Sequence, residues 1–113
     1  MNLAAPEILR GTLDLLILKA LSWGPAHGYG VARWIEQATN DALAVGEGTL
    51  YPALHRLEER GWITASWGAS ENNRRAKFYS ITADGRAQLR VEVANWRRYA
   101  AAVFAALEAP ALR

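Results

Sequence analysis

Three basic side chains, Arg74, Arg75 and Lys77, sit close together directly after two amides, Asn72 and Asn73. Guanidinium, ammonium and amide groups at that density suit a sugar-phosphate backbone or the minor groove of a duplex. A second set lies upstream. Thr49, Tyr51, His55 and Arg56 alternate with Leu50, Leu54 and Leu57, which share one face at helical spacing. Hydroxyl and phenol groups there can bond phosphates, and Arg56 can fork onto a phosphate or a guanine edge. The blander readings are a solubilising turn for the first set and, for Arg56, a solvated helix face shared with Glu59. Catalysis has little to work with. His27 and His55 are the only histidines, they are far apart in sequence, and there is no cysteine. No metal-ligand spacing and no paired catalytic carboxylates stand out. Gly28 and Gly30 lack the third glycine and the preceding strand of a dinucleotide loop. His27, in a turn before a helix, suits a structural or capping role.

The elements that must hold these groups follow from periodicity. Arg10 to Ser22 reads as a first helix with Leu13, Leu16, Ile17, Ala20 and Leu21 on one face. Leu15 and Leu18 fall on other faces, so this helix is apolar nearly all round and is expected to bury two sides, one of them against a second subunit. Trp23-Gly24-Pro25 stops it. A second helix is expected from Gly28 to Thr39, and a third from Glu47 to Arg60 with Gly61 as its stop. Pro52 requires that third helix to begin late, near Gly48, or to bend. Trp62 to Trp67 alternates as a strand with Ile63, Ala65 and Trp67 on one face, and Lys77 to Ile81 returns as its partner across a polar turn. Thr82 is a good N-cap for a last helix that runs to about Glu108.

In that helix Leu89, Val93, Trp96, Ala100, Val103 and Leu107 keep an a/d rhythm. A domain this small cannot cover the whole stripe, so a homodimer seam is expected there. The order of elements describes a mainly α chain with a two-stranded β wing. It amounts to a winged helix-turn-helix over residues 1–81 and a dimerisation helix over 82–113. Residues 1–7 read as a loose arm.

Composition narrows the class. At 113 residues, 51% of them hydrophobic, the chain suits one small domain that gains from dimerising. Net charge is only +2, yet 11 of the 13 basic residues are arginine, a bias that a GC-rich genome would also produce. The absence of cysteine fits a reducing cytoplasm. The apolar run Leu13 to Leu18 is too short to span a bilayer. No cofactor or metal is expected.

The stretches GEGTLYPALHRLEERGWITASW (46–67), NNRRAKFYSIT (72–82) and Gly85-Arg86 with Leu89 closely resemble the PadR family of bacterial transcriptional regulators. The opening RGTLDLLILKALSWGPAHGYG (10–30) resembles the family's first helix and the turn into its second. The resemblance implies a repressor of double-stranded DNA targets, of the short subfamily with one C-terminal helix. It implies DNA contacts at Tyr29, Thr49, Tyr51, His55, Arg74, Arg75 and Lys77. It also implies, by likeness to drug-binding members, that Trp96, Tyr99 and Phe104 offer an aromatic platform for a flat effector, against the plainer reading of Trp96 as interface packing. The rival class is a winged helix that docks proteins and has no role on DNA.

Overall fold

The structure, a computed structural model, describes residues 10–112; the arm expected at 1–7 lies outside them. Four helices and three strands follow in the order α1 (Arg10–Leu21), β1 (Ala26–His27), α2 (Gly28–Ala38), α3 (Glu47–Glu59), β2 (Ile63–Ala69), β3 (Arg75–Ile81) and α4 (Ala83–Glu108). The wing therefore has a third strand beyond the two expected. The antiparallel sheet runs β1-β3-β2, with Ala26 opposite Tyr79 and Ala65 opposite Tyr79 on its other side. A two-residue strand carries no readable alternation, which is why the sequence pattern missed β1.

One core joins α1, α2, α3 and the root of the sheet. It holds Leu13, Ile17, Leu18 and Leu21 of α1, Val31 and Ile35 of α2, Leu50, Leu54 and Leu57 of α3, and Ile63. Leu18 is fully buried in this core, so it is not available to a partner subunit as expected. The reason is that α1 touches α2, α3, α4 and β3 at once, and these elements close over Leu18. Leu15 stays half-buried.

The caps are local and legible. His27 is the N-cap of α2, where its Nδ1 accepts from the Gly30 N–H at 2.9 Å. Asn40 and Asp41 both take positive φ in the turn to α3, a conformation these two residue types tolerate. α3 ends in a Schellman arrangement. Trp62 N–H donates to Leu57 C=O at 3.1 Å, Gly61 N–H donates to Glu58 C=O at 3.0 Å, and Gly61 takes φ +76°. α3 starts at Glu47, within a residue of the expected Gly48, with Pro52 inside it. Gly48, whose carbonyl would have accepted the bond that Pro52 cannot donate, is an exposed residue.

α4 is docked by its first turn. Thr82 Oγ1 accepts from Gly85 N–H at 3.0 Å and donates to Gly61 C=O at 2.7 Å. Gly85 is buried against Trp62 C=O, which would lie only 2.0 Å from a Cβ at that position. From there a helix of about 39 Å runs out, packing Leu89 on the core and α1 along its first half. The molecule extends 64 Å along its long axis and 32 and 21 Å across. Beyond Ala100 every described residue of the chain is exposed, Val103, Phe104 and Leu107 among them.

Candidate nucleic-acid interface

The buried face of α3 is Leu50, Ala53, Leu54 and Leu57. Opposite it, Tyr51, Pro52, His55 and Glu59 are exposed. His55 Nε2 lies 3.1 Å from Glu59 Oε1 on that outer surface. Thr49 is half-buried in the first turn. Tyr51 crosses to the start of α2: a Cβ on Gly28 would meet its hydroxyl at 2.8 Å, so the glycine leaves room for the ring. Tyr29, beside it, is 67% exposed.

The wing rises next to this pair. Its tip is closed by Ser70 N–H to Arg74 C=O at 2.7 Å and Asn73 N–H to Ser70 C=O at 2.9 Å. Asn73 occupies the left-handed position of the turn, at φ 56°. Trp67, Arg75, Lys77 and Tyr79 fall on one face of the hairpin, since Trp67 pairs with Lys77 and Ala65 with Tyr79. The Arg75 guanidinium carbon stands 4.8 Å from the Trp67 ring centre. Lys77 lies two residues further from the tip, opposite Trp67, with Nζ 3.5 Å from Glu58 Oε1 and 5.5 Å from the Tyr79 ring. The Tyr79 phenol has its pKa raised chiefly by burial, with nearby Lys77 pulling the other way.

Between α2, α3 and the wing lies an open groove of about 1140 Å³. It gathers Tyr29 and Tyr51 from the helices with Arg75 and Lys77 from the wing. Arg33, Asn72, Phe78 and Trp67 also line it, and Glu71 is its acidic member. Thr49, His55 and Arg74 are not among its lining residues. Arg74 is exposed at the tip, and the other two lie along α3.

One expected contact is turned the other way. Arg56 faces α1 rather than the outer surface. Its Nη2 donates to Asp14 Oδ1 at 2.9 Å, and the two side chains are 22% and 12% exposed. The helical pattern had placed it off the apolar stripe, but a guanidinium on a long stem reaches round the helix to a buried carboxylate that the pattern cannot see. The sequence reading also overlooked Trp67 and Arg33. Trp67 shares a strand face with Ile63 and Ala65, as the alternation predicts, but β2 runs past the core, which leaves the indole 60% exposed.

A helix pair with a connecting turn, a third helix presenting its outer edge, and a hairpin flanking that edge define a winged helix-turn-helix. Residues 17–91 match the model of the transcriptional regulator PadR-like family, and the chain belongs to that family. It is a DNA-binding regulator by class. It is 34% identical over 90 residues to an uncharacterised protein X of Lysinibacillus sphaericus, covering 80% of this chain and 83% of that one. Among solved structures, a PadR family transcriptional regulator from Eggerthella lenta superposes with TM-score 0.76 at 31% identity, over 89% of this chain and 86% of that one. A transcriptional regulator from Clostridium thermocellum superposes with TM-score 0.77 at 30% identity, over 86% and 94%. Among the described residues no helix is long and apolar enough to cross a membrane.

Proposed function

We propose that this protein is a cytoplasmic repressor that binds a palindromic operator as a homodimer. The observation that carries the DNA reading is the groove itself. It sets the exposed edge of α3 beside a wing whose tip arginines, Arg74 and Arg75, make no ion pair among the described residues. In this reading α3 enters the major groove with Tyr51 and His55 near base edges and Thr49 on a phosphate. Tyr29 meets the backbone from the start of α2. Arg74 and Arg75 straddle the adjacent backbone, and Lys77 contributes less because Glu58 already holds it.

The dimer reading is supported by α4, which leaves Trp96, Tyr99, Val103, Phe104 and Leu107 between 40% and 74% exposed along one long helix. Seating the same helix of a second copy on this face would bury them. Leu89 and Val93 are half-buried at the other end of the stripe, and so is Ala100 near its middle, so the partner's main contact falls on the distal half. Trp96, Tyr99 and Phe104 would then also line the space between subunits where a flat effector could stack.

The test is a selection of duplexes from a random pool, followed by titration against salt. A recovered palindrome with half-sites about one helical turn apart, bound with a steep salt dependence, supports the reading. Recovery of no duplex, or binding indifferent to salt, would favour a protein-docking winged helix instead.

A further inference from the structure

Asp14 is the one charged residue among the buried side chains of the described chain. It sits on α1 among Leu13, Ile17 and Leu18, and it meets Arg56 of α3 across 42 positions of sequence. The guanidinium is committed to this place: its Nε is out of reach of water and makes no hydrogen bond. Stability alone is a poor reason for such a pair. Taking both charges out of water costs about as much as their attraction returns, and apolar replacements of similar volume are often as stable or more so. What the pair adds is direction. Leu50, Leu54 and Leu57 hold α3 by apolar contact, which is tolerant of small rolls and slides, whereas a 2.9 Å charged hydrogen bond is not.

The other end of the link is also polar. Trp96 of α4 donates from Nε1 to Thr12 Oγ1 at 3.1 Å, and Thr12 lies two places before Asp14 on α1. α1 is thus tied to the long helix on one side and to the recognition helix on the other. We propose that Asp14 and Arg56 are positioning residues: their pair sets the roll of α3 against the α1–α4 frame, so that a dimer presents its two recognition helices in register with two half-sites. Arg56 does not itself touch DNA. This inference rests on the DNA-binding reading above.

The test compares the parent with Asp14→Asn, Arg56→Met and the double variant Asp14→Leu with Arg56→Met. Each is titrated on a palindromic duplex selected by the parent and on a random duplex, across a range of salt. Thermal melts fix a temperature at which every variant is folded, and stoichiometric titration gives the active fraction. The double variant guards against simple unfolding, because it replaces the pair with apolar volume.

All three variants should lose about tenfold or more on the palindrome, equivalent to ~1.4 kcal/mol. Their random-duplex affinity and salt slope should stay close to the parent's. A contact role for Arg56 predicts the opposite signs: Asp14→Asn binds as well as the parent or better, and Arg56→Met flattens the salt slope by roughly one unit. That result, or a fall in melting temperature with the palindrome-to-random ratio unchanged, overturns the proposal. A parent that binds no duplex sinks the DNA reading and the inference together, whereas a parent that binds while its variants match it sinks the inference alone.

Discussion

Replacing Arg74 and Arg75 by alanine probes the wing with little disturbance elsewhere. Both side chains are exposed, and among the described residues neither is in an ion pair. Arg75 gives up its place over Trp67, an exposed cation–π contact worth about 0.5–1 kcal/mol, and Arg74 gives up no comparable contact. The melting temperature should therefore barely move. Binding should move a great deal. Each phosphate contact adds about 0.9 to the slope of log affinity against log salt, so losing two flattens it by roughly 1.8. Over a fourfold rise in salt, from about 50 to about 200 mM, the parent should lose about tenfold more affinity than the variant. The loss should be nearly equal on selected and random duplexes, because the tip reads backbone and not bases. Fluorescence anisotropy on both duplexes at four or five salt concentrations measures it. Lys77→Ala should flatten the slope far less, since Glu58 holds that ammonium at 3.5 Å. A double variant with the parent's slope would show that the wing tip does not meet phosphate, and the assignment of the groove as the DNA face would fall with it.

The other expectations are structural. Val103→Glu puts a charge on the exposed apolar face of α4 and should shift the protein from dimer to monomer in analytical ultracentrifugation. A parent already monomeric at tens of micromolar would refute the dimer. Gly85→Ala drives a methyl into Trp62 C=O and Ile81, and should cost about 1–3 kcal/mol despite the better helix propensity of alanine, lowering the melting temperature by about 10 °C. An unchanged melt would mean that α4 does not dock by its first turn. Tyr79 is held neutral by burial, so the folded state keeps its phenol proton longer than the unfolded chain does. That stability is complete below the ordinary phenol value of about 10 and is lost as pH rises through the raised folded value. In denaturant melts between pH 9 and 11.5, Tyr79→Phe should remove part of the alkaline decline, and a decline of the same size in the variant would count against the burial effect.

The sequence made the local features of this fold readable because each depends on residues a few positions apart. The Leu50, Leu54 and Leu57 stripe, the His27 and Thr82 caps and the Gly61 stop all obey rules of a single helix turn. What lay beyond reach depends on the distance between elements. The all-round apolar pattern of α1 points Leu18 to a partner subunit, because so small a domain offers little to cover a second side. In the fold, α2, α3, α4 and β3 pack against that helix, and together they cover Leu18 completely while Leu15 stays half-buried. Trp67 continues the core-facing alternation of its strand, but alternation says which face a residue takes and not where the core ends.

Arg56 is the instructive case, because its neighbours in sequence point one way and its partner the other. Around it stand His55, Glu58 and Glu59, the makings of a solvated helix face, and the motif it belongs to is the one that carries the resemblance to a DNA-binding family. The partner that decides its direction is Asp14, and that acid beside Leu13, Ile17 and Leu18 is the clue the sequence offers. A carboxylate amid Leu13, Ile17 and Leu18 cannot be buried alone, so some cation had to come to it. The cations able to reach that acid are the few basic residues on elements that pack against α1, and Arg56 on α3 is one of them. The buried charge thus carries information in both directions. It explains why one arginine of α3 is missing from the outer surface, and it marks a polar tie through which α1 can hold that helix at a fixed angle.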